Sequence, residues 1–193
     1  MNGAQALFKA LTDAGLDTCF ANPGTSEMQL VYEMGRTGNV RPVLCLQENT
    51  VTGAADGYAR MAGKPAFTLL HVGSGLAKGL ANLHNAGRAN TTMVNIVGAN
   101  ATYHQPNFAE HEFIGGNIVD VARVVSHWAH QAKNASDLAV RFTRWCGGGC
   151  GDPTGRGALG RGKNGSRHHG GASKTPPGAG CTGAVGKCRS SVA

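Results

Sequence analysis

Four short apolar runs constrain the fold of this chain more than any other feature, because each gives way at its carboxyl end to a segment with helical spacing. The runs are Asp17–Ala21, Arg41–Leu46, "PAFTLLHVG" and "TTMVNIVGAN". Ahead of the first, Ala6, Leu7, Ala10, Leu11 and Ala14 recur at helical spacing, and Gly15 supplies a stop. After it, Asn22-Pro23-Gly24 suits a tight turn, and Ser26 with Gln29 fits a capping box that opens a helix to about Met34. The second run, read as a buried strand over Pro42–Leu46, leads into an Ala/Gly-rich helix from about Asn49 to Ala62. The third leads into "GSGLAKGLANLHNAGRA". Residues 101–116 read as an irregular loop, "NIVDVARVV" as a helix, "SHWAHQA" as a last strand and "NASDLAV" as the opening of another helix capped by Asn134 or Ser136. This alternation implies βαβ units and an α/β fold: a doubly wound, mainly parallel sheet with helices on both faces. Ligands in such sheets sit at the carboxyl ends of the strands. The junctions at 22–27, 47–50, 71–75 and 98–104 are therefore the places to look for chemistry.

The pattern stops near residue 140, and composition shows how sharply. Residues 1–140 carry 9 Lys/Arg and 10 Asp/Glu, while residues 141–193 carry the other 9 Lys/Arg and only Asp152. The tail also holds 15 of the 30 Gly, and its Leu/Ile/Val/Phe/Met set is limited to Phe142, Leu159, Val185 and Val192. So few apolar side chains cannot offset the entropy of ordering such a segment. The expected organisation is a globular unit over 1–140, its last helix incomplete, and a disordered, basic Gly/Arg-rich tail over 141–193. Gly, Arg, Ala and Pro are the residues of GC-only codons, so a frameshift near codon 140 accounts for the tail better than a designed linker. The neighbouring reading frame should then continue the βα pattern.

No apolar run approaches bilayer-spanning length, and "MNGAQALFKALTDAG" lacks a basic n-region and a long apolar core. Cys19 and Cys45 sit in apolar runs and read as reduced, buried, small hydrophobes. A cytoplasmic location with no membrane partner is the expectation. Cys146, Cys150, Cys181, Cys188, His168 and His169 match no usual zinc spacing, so no metal site is expected there. The cationic tail could attract nucleic acid as any flexible basic chain does, but aromatic interleaving is confined to Phe142 and Trp145. Gly73-Ser74-Gly75 with Gly79 has the spacing G-x-G-x-x-x-G, follows the third strand and lacks an acid about 20 residues on, so a Rossmann dinucleotide site is rejected.

Glu48 is the acid best placed for ligand work. By itself it reads first as a helix N-terminal acid favoured by the macrodipole. Gly53, Ala54, Ala55 and Gly57 behind it form a face with almost no side chain. Glycine in a helix interior costs up to ~1 kcal/mol against Ala, so two of them imply that a backbone or a ligand comes close. His71, ending the third strand, reads as either a hydrogen-bonded structural group or a proton carrier. Thr25 reads as a helix-capping residue or a ligand contact. His84, His104 and His111 read as surface or loop residues.

"NPGTSE", "LQENTVTGAADGYARMAGKPA" and "LLHVGSGLAKGLANLHNA" resemble the N-terminal pyrimidine-binding domain of thiamine diphosphate enzymes, in the group of acetolactate synthase large subunit and benzoylformate decarboxylase. The resemblance covers residues 1 to about 140. It implies that Glu48 contacts N1′ of the cofactor's aminopyrimidine and shares a proton with it, while the cofactor serves as electron sink for a 2-oxo acid. Burial and the helix N-terminus would pull the Glu48 carboxyl in opposite directions. The resemblance makes His71 an active-site proton shuttle that also faces substrate, as in benzoylformate decarboxylase-like relatives. It puts Thr25 against substrate, and Gly24, Thr25, Gly73 and Gly75 beside the cofactor.

In the family, Mg²⁺ and the diphosphate are held by a separate domain with a G-D-G…N motif. This chain shows none ("GDPTG" is not one), and family sites form between two subunits. The implied function is that of an acetolactate synthase-like 2-oxo acid enzyme domain, truncated, inactive alone and in its intact form a homo-oligomer. A benzoylformate decarboxylase-like decarboxylase is the alternative within the class. The alternative from another class is a non-catalytic binding or regulatory module with a cationic tail.

Overall fold

The computed structural model describes residues 1–101, 117–134, 137–138 and 191–192. Chain order is α1 (Gly3–Asp13), β1 (Thr18–Asn22), a 3₁₀ turn (Thr25–Glu27), α2 (Met28–Thr37), β2 (Arg41–Leu44), α3 (Glu48–Ala62), β3 (Ala66–Leu70), α4 (Val72–Arg88), β4 (Met93–Val97), α5 (Ile118–Val125), β5 (Trp128–Ala129) and β6 (Ser191–Val192). The strands form one sheet in the order β2-β1-β3-β4-β6-β5, with every pair parallel.

Strands β1, β3 and β4 alternate their side chains between two apolar layers, which is why both faces carry helices. On one face Cys19, Ala21, Phe67, Leu69, Val94 and Ile96 pack with Leu7, Phe8 and Leu11 of α1 and Met34 of α2. On the other, Phe20, Ala66, Leu70 and Met93 pack with Val51 and Ala55 of α3, Leu76 and Leu83 of α4 and Ala122 of α5. Thr68 and Asn95 lie opposite each other in the middle of the sheet, fully buried, and the Thr68 hydroxyl donates to Asn95 Oδ1 at 2.8 Å. That bond meets the requirement that polar groups in a core be partnered.

Helix ends follow local chemistry. Asn2 and Gln5 form a reciprocal capping box on α1: Gln5 N–H donates to Asn2 Oδ1 at 2.9 Å, and Asn2 N–H to Gln5 Oε1 at 3.0 Å. Helix α3 ends where Gly63 takes φ +64°. Of the two expected caps at 134 and 136, Asn134 accepts from Asp137 N–H at 2.9 Å.

Two expectations need correction. The box expected from Ser26 and Gln29 does not form: Thr25–Glu27 is a 3₁₀ turn and α2 starts at Met28. The acid of the turn makes the capping contact instead, Glu27 Oε2 accepting from Gly24 N–H at 2.7 Å. Nor is Pro42–Leu46 a buried strand. β2 is the outer strand of the sheet, Leu44 and Leu46 are 69% and 89% exposed, and Cys45 alone of the five turns fully inward. An edge position also explains how Pro42 is tolerated in a strand.

The last expected strand is present as two residues, Trp128–Ala129, separated from β4 by β6. Apart from Ser191–Val192, the tail lies outside the described residues, as do His104, His111 and most of the 101–116 loop. No described helix is long and apolar enough to cross a membrane.

Candidate functional site

The chain leaves β1 toward β2 on one side and returns to β3 on the other, so the strand order reverses between β1 and β3. A reversal splits the two following connections to opposite faces and opens a crevice at the carboxyl edge. The residues delivered there are Asn22–Glu27 after β1 and His71–Gly75 after β3.

A polar cluster sits at that reversal. His71, the residue before α4, places Nδ1 2.8 Å from Glu27 Oε2 and 3.3 Å from Ser26 Oγ. Glu27 is fully buried, while the His71 side chain is 23% exposed. Glu27 Oε2 also accepts from Gly24 N–H, whereas its other oxygen, Oε1, is buried without a hydrogen-bond partner. Two glycines make the cluster possible. A Cβ on Gly24 would lie 2.3 Å from His71 Nδ1, and one on Gly98, just past β4, would lie 1.4 Å from Glu27 Oε1. The turn into α4 is itself tight: Val72 has φ +43°, a region that costs an L-residue ~1–2 kcal/mol and is least suited to a β-branched side chain. Strain of that kind concentrates where a side chain must be held in one place, and here it fixes the step from His71 to Gly73.

A second acid lies one helix away. Glu48 is the first residue of α3, 4% exposed, with Oε2 buried and lacking a hydrogen-bond partner. The nearest cation, Lys78 Nζ, is 3.7 Å from that oxygen, too long for a hydrogen bond. The carboxyl lies on the bare backbone of α4: a Cβ on Gly75 would stand 3.1 Å from Oε1. The same stripe continues down α4. A Cβ on Gly79 would stand 2.9 Å from Thr52 Cγ2, Thr52 Oγ1 lies 3.2 Å from Gly79 O, and Asn82 donates to Asn49 O and Oδ1 at 2.7 and 2.8 Å. Positions 75, 79 and 82 share one face of α4, directly after His71, because residues three or four apart are neighbours on a helix. That face ties the His71 cluster to the Glu48 carboxyl.

Of the residues singled out from sequence, His71 and Gly24 therefore meet in one cluster, and Glu48 and Gly75 in the adjoining one. Gly73 is buried in the first turn of α4, and Thr25 is exposed at the start of the 3₁₀ turn. The small face of α3 is used unevenly: a Cβ on Gly53 would strike Asn82 Nδ2 at 2.8 Å, while Gly57 has open space around it. His84 is exposed, as expected.

Glu27 escaped the sequence reading. Its signal was an acid three residues beyond the glycine of "NPGTSE", the reach of a side chain folding back on a turn. Among the described residues there is no cluster of three or more metal-ligating side chains.

The arrangement puts a buried, unpartnered carboxylate oxygen of Glu48 beside the bare backbone at Gly75, with an acid–imidazole pair at the adjoining strand ends.

Residues 1–124 match the family described as thiamine pyrophosphate enzyme, N-terminal TPP binding domain. A Mycobacterium tuberculosis protein, provisionally named acetolactate synthase large subunit IlvX, is 53% identical over 140 residues, which is 72% of this chain and 27% of that protein. Benzoylformate decarboxylase of Pseudomonas aeruginosa is 36% identical over 133 residues, 69% of this chain and 24% of the enzyme.

Among solved structures, a Mycobacterium smegmatis protein described provisionally as a thiamin diphosphate-dependent enzyme superposes with TM-score 0.67 at 25% identity, covering 74% of this chain and 27% of that one. Benzoylformate decarboxylase from Polynucleobacter necessarius shares the fold at TM-score 0.68 and 22% identity, covering 74% of this chain and 26% of the enzyme. The chain thus spans about a quarter of the length of the curated relatives it matches.

Proposed function

The chain belongs to the thiamine pyrophosphate enzyme family, in its N-terminal TPP binding domain, and from that premise we propose that residues 1–140 form the pyrimidine-binding half of a 2-oxo acid enzyme's active site. The observation that carries the proposal is Glu48 Oε2: a buried carboxylate oxygen with no hydrogen-bond partner, held over the backbone at Gly75. A buried polar atom left unpartnered costs ~1–3 kcal/mol, more when it is charged. A ring nitrogen bearing a proton removes that cost.

Thiamine diphosphate, when bound, supplies the electron sink for cleaving the bond beside a 2-oxo acid's carbonyl. Glu48 would hold the aminopyrimidine and share a proton with it at Oε2. Gly75 would let the carboxyl lie close against α4, and Gly73, Gly24 and Thr25 would line the approach. His71 would carry a proton to or from the substrate, with Thr25 beside it. Mg²⁺ and the diphosphate would be bound by a part of the enzyme outside residues 1–140, and the working enzyme would be a homo-oligomer.

The 53% identity to the acetolactate synthase-named relative favours that reaction type. The His71–Glu27 pair favours a benzoylformate decarboxylase-like 2-oxo acid decarboxylase, since it adds an acid–base couple, a buried acid with a partly exposed imidazole, at the strand reversal. A non-catalytic module with a cationic tail would rest on residues 141–193, and deleting them would remove its partner. The family match over residues 1–124 supports a unit that ends before the tail.

The division of labour is tested by titrating thiamine diphosphate into the 193-residue chain and following backbone amide shifts. Weak, Mg²⁺-independent changes at residues 48 and 75, abolished by Glu48→Gln, are expected. Tight Mg²⁺-dependent binding, or changes that ignore Glu48, would contradict it.

A further inference from the structure

We infer that Glu27 is the positioning residue that fixes the tautomer of His71, placing the ring proton on Nδ1 and leaving Nε2 as the basic nitrogen. In a neutral imidazole one nitrogen donates and the other accepts, and the partner of each decides which. Nδ1 faces Glu27 Oε2 at 2.8 Å. That oxygen already accepts from Gly24 N–H at 2.7 Å, so it presents lone pairs to both neighbours. With the proton on Nε2, a nitrogen lone pair would face an oxygen lone pair at hydrogen-bond distance inside a buried cluster. With the proton on Nδ1, the same contact is a charge-assisted hydrogen bond, the stronger kind.

Ser26 does not reverse the choice. Its Oγ is 3.3 Å from Nδ1, longer than the carboxylate contact, and a hydroxyl can rotate either to donate or to accept. The carboxylate cannot.

Glu27 is held to this task from three strand ends. Its own turn follows β1 and folds back on Gly24. His71 follows β3. Gly98, following β4 and bonded through its N–H to Leu70 O at 2.9 Å, lies so close to Glu27 Oε1 that no Cβ fits. The use of Nε2 in proton transfer rests on the proposed function, whereas the tautomer itself is a property of the chain and is read without cofactor.

The test is long-range ¹H–¹⁵N correlation on the full chain labelled at histidine ring nitrogens, recorded above the ordinary imidazole titration range. Wild type is expected to show Nδ1 at the pyrrole-type position and Nε2 at the pyridine-type position for His71. Ser26→Ala and Glu27→Gln should keep that pattern, the latter because an amide oxygen still accepts. Glu27→Ala should lose it, with the two nitrogens exchanging character or averaging. A pyridine-type Nδ1 in wild type, or a pattern unmoved by Glu27→Ala in a folded chain, would overturn the inference. If Glu27→Ala does not fold, wild type and Ser26→Ala decide it: Nδ1 must be pyrrole-type in both. A failure of cofactor binding leaves these spectra unchanged, so the two readings fail separately.

Discussion

Glu27 and His71 meet at 2.8 Å across the reversal between β1 and β3, a fully buried carboxylate against a partly open imidazole. Gly24 and Gly98 leave the space that the pair occupies, since a Cβ on either would strike His71 or Glu27.

Gly24→Ala should therefore disrupt the cluster rather than merely tighten a turn. The new Cβ would fall 2.3–2.6 Å from three atoms of the His71 ring. Overpacking of this kind costs ~1–3 kcal/mol. Denaturant titration should show the loss, and the His71 ring resonances should move with it. A variant as stable as wild type with unmoved His71 signals would contradict the geometry.

The glycines of the α3–α4 contact should separate by sign. Gly79→Ala puts a Cβ 2.9 Å from Thr52 Cγ2 and should destabilise by ~1–3 kcal/mol. Gly57→Ala meets open space within α3, so removing a helix-interior glycine there should stabilise by up to ~1 kcal/mol. Thermal melts of the two variants compared with wild type decide it, and shifts of the same sign would refute the packing account.

Asp17 and Lys64 give the chain a pH-dependent surface contact. The hydrogen bond from Lys64, 2.6 Å away, holds the Asp17 carboxyl below its ordinary value against an opposing effect of burial, with Thr18 adding to the lowering. Lys64 is raised, by its bonds to Asp17 and Tyr58. A depressed acid contributes stability above its unfolded value of ~3.9, lost as pH falls through its folded value; a raised lysine contributes below ~10.4, lost as pH climbs through its folded value. Both side chains are substantially exposed, so the pair is screened and contributes at most ~1 kcal/mol. Lys64→Met should lower stability slightly between about pH 5 and pH 9, and the difference should close on acidification and in high salt. A difference that persists at low pH would point to lost packing on Tyr58 instead.

The order of elements was legible because short apolar runs such as Asp17–Ala21 alternate with helical spacing such as that of Ala6, Leu7, Ala10, Leu11 and Ala14, and neither signal depends on distant residues. Glu48, Gly24, His71 and Gly75 were legible as residues at strand ends, and the sheet order brings them to one edge.

What the sequence did not disclose was set by long-range geometry. Whether an apolar strand is central or at the edge depends on strand order, so Leu44 and Leu46 look like core residues in a string of letters and are exposed in the sheet. Glu27 looked like one acid in a turn, because its partner His71 is 44 positions away. The packing role of Gly79 was likewise invisible, since it is defined by Thr52 on another helix.

The most direct test of the central claim, that Glu48 is the proton-sharing carboxyl of a thiamine diphosphate site, places residues 1–140 in the setting of a longer relative. Residues 1–140 would replace the matching segment of the 53% identical Mycobacterium tuberculosis relative, and hydrogen–deuterium exchange at C2 of the bound cofactor's thiazolium would be measured with and without Glu48→Gln. Loss of a positioned acid–base group should slow exchange by ~10²-fold or more, with the cofactor still bound. Equal exchange rates in the two chimeras would contradict the account.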